Sequence, residues 1–153
     1  MMPSVPMIVR VPPAARAPYA LATHYLARDR EMRSIIQTAQ TSSRVFSLRL
    51  NGHDDDSFDP NSDTINWDPG SALRTTAGGA QSPALGLGHE LDHAVEEPRT
   101  MARLAAQPDE RYDNAEERRV ITGAERHAAR TLGEATRSDH AGTTFRVDSP
   151  IFA

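Results

Sequence analysis

The segment 88–94 reads GHELDHA and contains the pattern HExxH, formed by His89, Glu90 and His93. Positions i and i+4 of an α-helix lie one above the other on the same face, so both histidines can present a ring nitrogen to one metal ion. Glu90 lies beside that pair, within reach of a water molecule on the metal. The pattern predicts one Zn²⁺ ion per chain, with His89 and His93 as ligands and Glu90 as the general base.

The residues around the pattern are typical of a buried helix. Ser82 can cap a helix that begins at Pro83, and Pro98 prevents its extension at the other end. Apolar residues recur between these limits at helical spacing: Leu87, Leu91, Ala94 and Val95. The competing interpretation of the pattern is a pair of surface histidines that binds no metal.

Two glycines, Gly86 and Gly88, lie inside the predicted helix, where each costs up to about 1 kcal/mol relative to alanine. They are expected to let a strand or a substrate backbone approach the metal. Close packing of the helix against a sheet is the alternative explanation.

A catalytic zinc site has a third protein ligand, and a chain without cysteine must supply it from histidine or a carboxylate. Glu117 follows His93 by 24 residues, on a second predicted helix that Asn114 caps and that can run back beside the first. Glu116 and Glu125 are the alternative third ligands. Glu117 could instead serve only as the capping-box partner of Asn114.

The rest of the chain predicts an α+β domain over residues 18–153, preceded by a Pro- and Ala-rich flexible leader at 1–17 that is a candidate secretion signal. Tyr19 to Gln40 is predicted as one helix. Alternating patterns at 44–50 and 64–67 predict two strands that pair as a long antiparallel hairpin. The second strand is the candidate edge strand for an extended substrate.

Other polar residues support weaker hypotheses. Tyr112 could contact the oxyanion that develops on a substrate carbonyl, or be structural. His140 could face the cleft, or lie in a solvated turn. The aspartates between the two strands are expected to form a solvated acidic turn: Asp54, Asp55, Asp56, Asp59 and Asp63.

Charge and hydropathy argue against several classes of partner. The net charge is −4, and the basic residues are all arginine, dispersed among acids, so nucleic-acid binding is not expected. No apolar run approaches 18 residues, and the N-terminus lacks the pattern of a Sec signal peptide. The sequence therefore predicts neither a membrane span nor export by that route.

Three runs resemble the NleD-like zinc metallopeptidases, which are bacterial effectors injected into host cells by type III secretion, and related HExxH toxin modules. They are INWDPG at 65–70, QSPALGLGHELDHA at 81–94 and NAEERRVITGAE at 114–125. The stretch AARTLGE at 128–134, with Arg137, Asp139, His140 and Gly142 after it, resembles the tails of such domains. The resemblance covers about residues 60–148 and does not extend to residues 1–58.

This resemblance implies a zincin-like fold, in which a small edge-stranded antiparallel sheet packs on the HExxH helix and on a second, ligand-bearing helix. It implies His89 and His93 as zinc ligands, Glu90 as the base, and one of Glu116, Glu117 and Glu125 as the third ligand. The expected function is zinc-dependent cleavage of a protein in a host or target cell, and a secretion chaperone is left open as a further partner. The alternatives are a toxin domain that hydrolyses another amide, and an inactive zincin-like binding module.

Overall fold

The computed structural model describes residues 9–152, and it has the mixed α+β composition that the sequence predicts. The helices are α1 (Arg16–Leu26), α2 (Arg30–Thr41), α3 (Pro83–Val95), α4 (Pro98–Ala105), α5 (Ala115–Val120) and α6 (Arg126–Leu132), with a 3₁₀ turn at Pro13–Ala15 and a π-helical turn at Ile121–Glu125. The strands are β1 (Val9–Arg10), β2 (Phe46–Leu50), β3 (Ser57–Asp59), β4 (Thr64–Trp67), β5 (Ser71–Arg74), β6 (Ala80–Gln81), β7 (Pro108–Asp109), β8 (Asp113–Asn114) and β9 (Thr143–Arg146). None of the helices in this part of the chain has the length and apolarity needed to cross a bilayer.

The main sheet has the order β1-β2-β4-β3, and only β3 runs antiparallel to its neighbour. The predicted antiparallel hairpin between β2 and β4 is wrong, because Leu48 and Ile65 are partners in a parallel pair. After β2 the chain forms β3 first and returns through a turn at 60–63, where Asp63 has a φ of 52°. β4 therefore lies inside the sheet, and β3, which was not predicted, is one of its two edge strands. Two smaller antiparallel sheets, β6-β5-β9 and β7-β8, complete the fold.

The N-terminal boundary of the domain also differs from the prediction. Val9 is buried and pairs with Phe46, and Ala15 is buried ahead of α1. Residues 9–17 thus belong to the fold, so the prediction of a flexible leader is wrong for them and the boundary at residue 18 is too late. The remainder of the predicted leader, residues 1–8, lies outside the described residues.

The single helix predicted from Tyr19 to Gln40 is two helices, α1 and α2. Asp29 ends the connection between them, because its side chain accepts a hydrogen bond from the backbone N–H of Met32 at 3.0 Å and so caps α2. Asp29 is completely buried and also accepts from His127 and Thr131 of α6. The break lets both helices pack against α3.

The HExxH helix α3 is buried and contacts α1 and α2 as well as β3 and β4. Ser82 caps it as predicted, since its Oγ accepts from the N–H of Leu85 at 3.2 Å. Trp67 of β4 donates its indole N–H to the carbonyl oxygen of Pro83 at 2.9 Å. A Cβ at Gly88 would lie 2.8 Å from Sδ of Met32, so this glycine allows close packing against α2 rather than against a sheet.

Candidate metal centre

The two histidines of the HExxH pattern each direct the Nε2 atom toward the other histidine and toward Glu117. The Nε2 atoms of His89 and His93 are 3.1 Å apart. Glu117 of α5 places Oε2 at 2.9 Å from Nε2 of His89 and Oε1 at 3.1 Å from Nε2 of His93. In a tetrahedral zinc site with metal–ligand distances near 2.0–2.1 Å, ligand atoms lie about 3.3 Å apart. The three side chains are therefore close enough to act as a His₂Glu donor set, although the same distances are those of hydrogen bonds between the histidines and the two oxygens of Glu117.

The other two candidate glutamates contact the opposite nitrogens. Glu125 lies 2.8 Å from Nδ1 of His89, and Glu116 lies 2.8 Å from Nδ1 of His93. A carboxylate on Nδ1 fixes the tautomer and the orientation of the ring, and so leaves Nε2 available to a metal. The geometry thus separates the three glutamates by role: Glu117 faces the space between the Nε2 atoms, and the other two orient the rings.

Each orienting glutamate is held by an arginine that the sequence did not single out for this role. Arg137 contacts both oxygens of Glu125, with Nη2 to Oε1 at 2.5 Å and Nε to Oε2 at 3.1 Å. Gln81 adds a bond to Oε2 at 3.4 Å. We call Glu125 and Arg137 the His89 clamp. Its two members are 1% and 9% exposed, so the pair is almost fully removed from solvent.

The corresponding pair on the other side, Glu116 and Arg119, is the His93 clamp. Arg119 donates to both oxygens of Glu116, at 2.8 and 2.9 Å. It also pairs with Asp92 of α3 at 3.0 Å and with Glu96 at 3.3 Å. Asp92 therefore ties α3 to its neighbouring helix α5.

A π-helical turn brings Glu117 and Glu125 to the same side of the second helix. Glu117 and Glu125 are eight residues apart, which would leave them about 80° out of phase on a regular α-helix. The turn at Ile121–Glu125 contains one residue more than an α-helical turn, and Gly123 within it has non-helical angles, φ −97° and ψ −113°. That extra residue reduces the phase difference to about 20° in the opposite sense. Both side chains consequently face α3.

The charges in the cluster shift the pKa values in opposite directions. Burial disfavours the charged imidazolium of His89, but hydrogen bonds to Glu117 and Glu125 outweigh it and raise the pKa to about 10. In His93 burial is likewise outweighed, here by Glu116 and Glu117, and the pKa rises to about 9. Burial would raise the pKa of Glu117, yet its bonds to the two histidines lower it strongly. The carboxylates around His89 and His93 therefore favour a positive charge between them.

Glu90 is buried beside the histidines, with Oε1 at 3.7 Å from Nε2 of His89. His89, Glu90 and His93 present ligand atoms within 4.8 Å of one another, so this group could hold a metal ion. Glu117 lies closer to both Nε2 atoms than Glu90 does, which favours Glu117 as the carboxylate ligand. Burial raises the pKa of Glu90 above the usual value for a glutamate.

The cleft at this centre consists of two cavities that share three residues, Asp56, Glu90 and His140. The first cavity, of about 320 Å³, lies toward β5 and β9, and the second, of about 300 Å³, lies toward β3 and α5. His140 is 42% exposed and places Nε2 at 3.5 Å from Oε2 of Glu117. The structure thus brings His140 to the predicted centre.

Two sequence-based expectations near the cleft are changed by the structure. Tyr112 is buried in the wall of a separate cavity with Arg111 and Arg118, so the structure does not bring it together with Glu90. Asp56, predicted as part of a solvated turn, is instead partly buried in the cleft, and burial raises its pKa to about 7. The acidic run itself gave no signal that one of its members would turn inward.

Comparison of the chain with protein-family models, with curated proteins and with solved structures finds no match in any of the three. The function is therefore inferred from the chemistry of the centre and its cleft.

Proposed function

We propose that the protein is a zincin-like, zinc-dependent endopeptidase in which His89, His93 and Glu117 bind one Zn²⁺ ion and Glu90 is the general base. The observation that carries this proposal is the convergence of two Nε2 atoms and one carboxylate in the wall of a cleft that Glu90 also lines. The clamps on both Nδ1 atoms support it, because such carboxylates are typical of histidines that bind a metal.

A bound zinc ion would lower the pKa of a water molecule to about 7 and polarise the carbonyl under attack. Glu90 takes the proton from the attacking water and returns it to the leaving amine. His140 faces the same cleft and donates a hydrogen bond to the oxygen on which negative charge develops. These two residues supply the acid–base and electrostatic steps of amide hydrolysis.

The edge strand β3 is suited to hold an extended substrate. It ends the main sheet, and its residues Ser57 and Phe58 line the cavity that contains Glu90 and His93. A substrate backbone can therefore add to β3 as a further strand and cross the centre. This assigns to β3 the role that the sequence suggested for β4.

The resemblance of residues 60–148 to NleD-like metallopeptidases supports a narrower form of the proposal. In that form the protein is an effector or toxin domain, delivered by a bacterium, that cleaves a protein in a host or target cell. A toxin domain that hydrolyses another amide would bind zinc with the same ligands but would hold a different substrate in the cleft. An inactive binding module would need neither bound zinc nor Glu90.

Metal analysis and turnover test the proposal together. Wild-type protein is expected to contain one zinc per chain by mass spectrometry, and the His89→Ala, His93→Ala double variant to contain none. Glu90→Gln should keep zinc and lose about 10²–10⁴-fold of the cleavage rate on a denatured protein substrate. A binding module is indicated instead if wild-type protein cleaves nothing, and full zinc occupancy in the double variant would exclude this site.

The third ligand has its own test. Glu117→Gln is expected to weaken zinc binding by more than about 100-fold, beyond the range of changes that only disturb a ligand's orientation. Glu110→Gln makes the same change at an exposed position, is the matched control and should bind zinc as wild type does. If Glu117→Gln binds zinc as tightly as wild type, another carboxylate must be the third ligand.

A further inference from the structure

The first cavity of the cleft has walls suited to one long side chain. Ala72, Leu73, Ala141 and Gly142 from β5 and the loop before β9 form an apolar surface on one side. Its volume of about 320 Å³ is at the lower end of ligand pockets, which span about 300–1,000 Å³. Glu90 lines the cavity, so a side chain inside it would belong to a residue next to the bond that is cleaved.

Asp56 lies where this cavity meets the second one, next to the start of β3. Its Oδ1 accepts the backbone N–H of Asp68 at 2.7 Å. Its Oδ2 lies against α3, 2.7 Å from where a Cβ at Gly86 would be. The recess at Gly86, one turn before Glu90, therefore seats this carboxylate and not a strand or substrate backbone as the sequence suggested.

Asp56 and Glu90 are the two carboxylates of this cavity that no arginine pairs with among residues 9–152. Two other carboxylates of the lining are paired, because Glu125 forms an ion pair with Arg137 and Asp54 forms one with Arg146. Among residues 9–152, no donor bonds Oδ2 of Asp56 and no arginine or histidine forms an ion pair with it. Burial and, less strongly, the Glu90 carboxylate raise its pKa to about 7, as expected for a carboxylate without a cation.

We propose that this cavity is the subsite for a lysine or arginine side chain adjacent to the scissile bond, and that Asp56 selects it. The inference rests on the proposed peptidase function and names its substrate class. The apolar walls take the methylene stem of the side chain, and the Asp56 carboxylate takes its charged head. A partly buried carboxylate that forms no ion pair among residues 9–152 is the feature that distinguishes a basic occupant from an apolar one.

A randomised peptide library, acetylated at the N-terminus and sequenced by mass spectrometry after digestion, tests this specificity. Wild-type protein is expected to cleave next to lysine or arginine, with kcat/KM at least about 10-fold above that for the isosteric uncharged residue norleucine, as a charge-assisted hydrogen bond implies. Asp56→Asn keeps an acceptor for the Asp68 N–H and removes only the charge, and it should abolish this preference.

Two further variants complete the comparison. Asp55→Asn changes an exposed neighbour that does not line the cavity, and it should keep the wild-type preference. Gly86→Ala places a methyl group where the Asp56 carboxylate lies, and it should reduce the preference by displacing that carboxylate. The preference of the wild-type protein is itself a test that depends on no variant.

Failure of this inference differs from failure of the proposed function. Zinc-dependent cleavage without enrichment of lysine or arginine overturns the subsite and leaves the peptidase intact. A preference could also appear only at the terminal residue of a library with free N-termini. That result would mean that the protein recognises an α-amine, and it would overturn the side-chain subsite. Absence of any cleavage overturns both.

Discussion

His89 and His93 are oriented by clamps of the same chemistry that are built in different ways. In the His93 clamp, Glu116 and Arg119 are neighbours on one helix, and the arginine side chain is 29% exposed and shared with Asp92 and Glu96. In the His89 clamp, the arginine comes from a loop beyond α6, and both members are buried. The first is local and partly solvated, whereas the second depends on the tertiary fold. Two glutamate–arginine pairs that orient a histidine in the same way can therefore contribute differently to folding stability.

The largest expected effect is on the zinc-free protein, where both clamps act at once. The pKa values of His89 and His93 are higher in the folded state than the unfolded value of 6.5, so the folded protein binds protons at these histidines more tightly. Their contribution to folding stability is therefore fully present below about pH 6.5. That contribution is lost as pH rises through about 9 for His93 and about 10 for His89. Urea unfolding of chelator-treated protein should therefore show stability falling from pH 7 to pH 9.5. Zinc-loaded protein, whose imidazoles are neutral, is the control, and a rise in zinc-free stability over this range would contradict the prediction.

The second prediction concerns the arginines. Arg137→Met leaves Glu125 buried without its cation and is expected to cost about 3–5 kcal/mol of folding stability. Arg119→Met removes a partly solvated partner, and we expect a cost of about 1 kcal/mol. Urea unfolding of the two variants at pH 7 with excess zinc measures both. Equal losses would mean that burial does not distinguish the clamps.

The third prediction moves from stability to metal affinity. Loss of a carboxylate that orients a metal-binding histidine typically costs about 10–100-fold in affinity. Glu125→Gln should lie near the upper end of that range because it also disturbs the buried Arg137, and Glu116→Gln near the lower end because water can reach Arg119. Competition with a chromophoric chelator measures zinc affinity in both variants. A greater loss in Glu116→Gln would reverse the ranking of the clamps.

Local patterns were sufficient to predict one side of this centre. The HExxH spacing, the caps at Ser82 and Asn114, and the position of Glu117 on a returning helix all follow from residues close together in the chain. The same is true of the spacing between Glu116 and Arg119, although the sequence alone did not show that this pair would face His93. These elements form where helical geometry alone decides which side chains share a face.

Long-range geometry could not be predicted in the same way. The direction of β4 depends on β3, whose three residues show no periodic pattern of apolar residues. The contact between Arg137 and Glu125 depends on the path of the loop after α6. Helical periodicity also failed for Glu125, because a regular helix would turn it away from Glu117. The irregular turn at Ile121–Glu125, rather than the pattern of residues, sets its position.

The smallest expected effect tests that turn. Deletion of Gly123 removes one residue, so that Glu117 and Glu125 are seven residues apart and about 20° out of phase on a regular α-helix. Both clamps should then keep their glutamates facing α3, and zinc affinity should stay within about 3-fold of wild type, since no ligand or orienting carboxylate is lost.

Insertion of one alanine after Gly123 is the matched opposite change, because it turns Glu125 by about 100° and leaves Glu116 and Glu117 in place. This variant should lose zinc affinity as Glu125→Gln does, with the His93 clamp unaffected. Chelator competition separates the two outcomes. If the deletion and the insertion weaken zinc binding equally, the phase of the helix does not control Glu125, and the loop that carries Arg137 must position the His89 clamp instead.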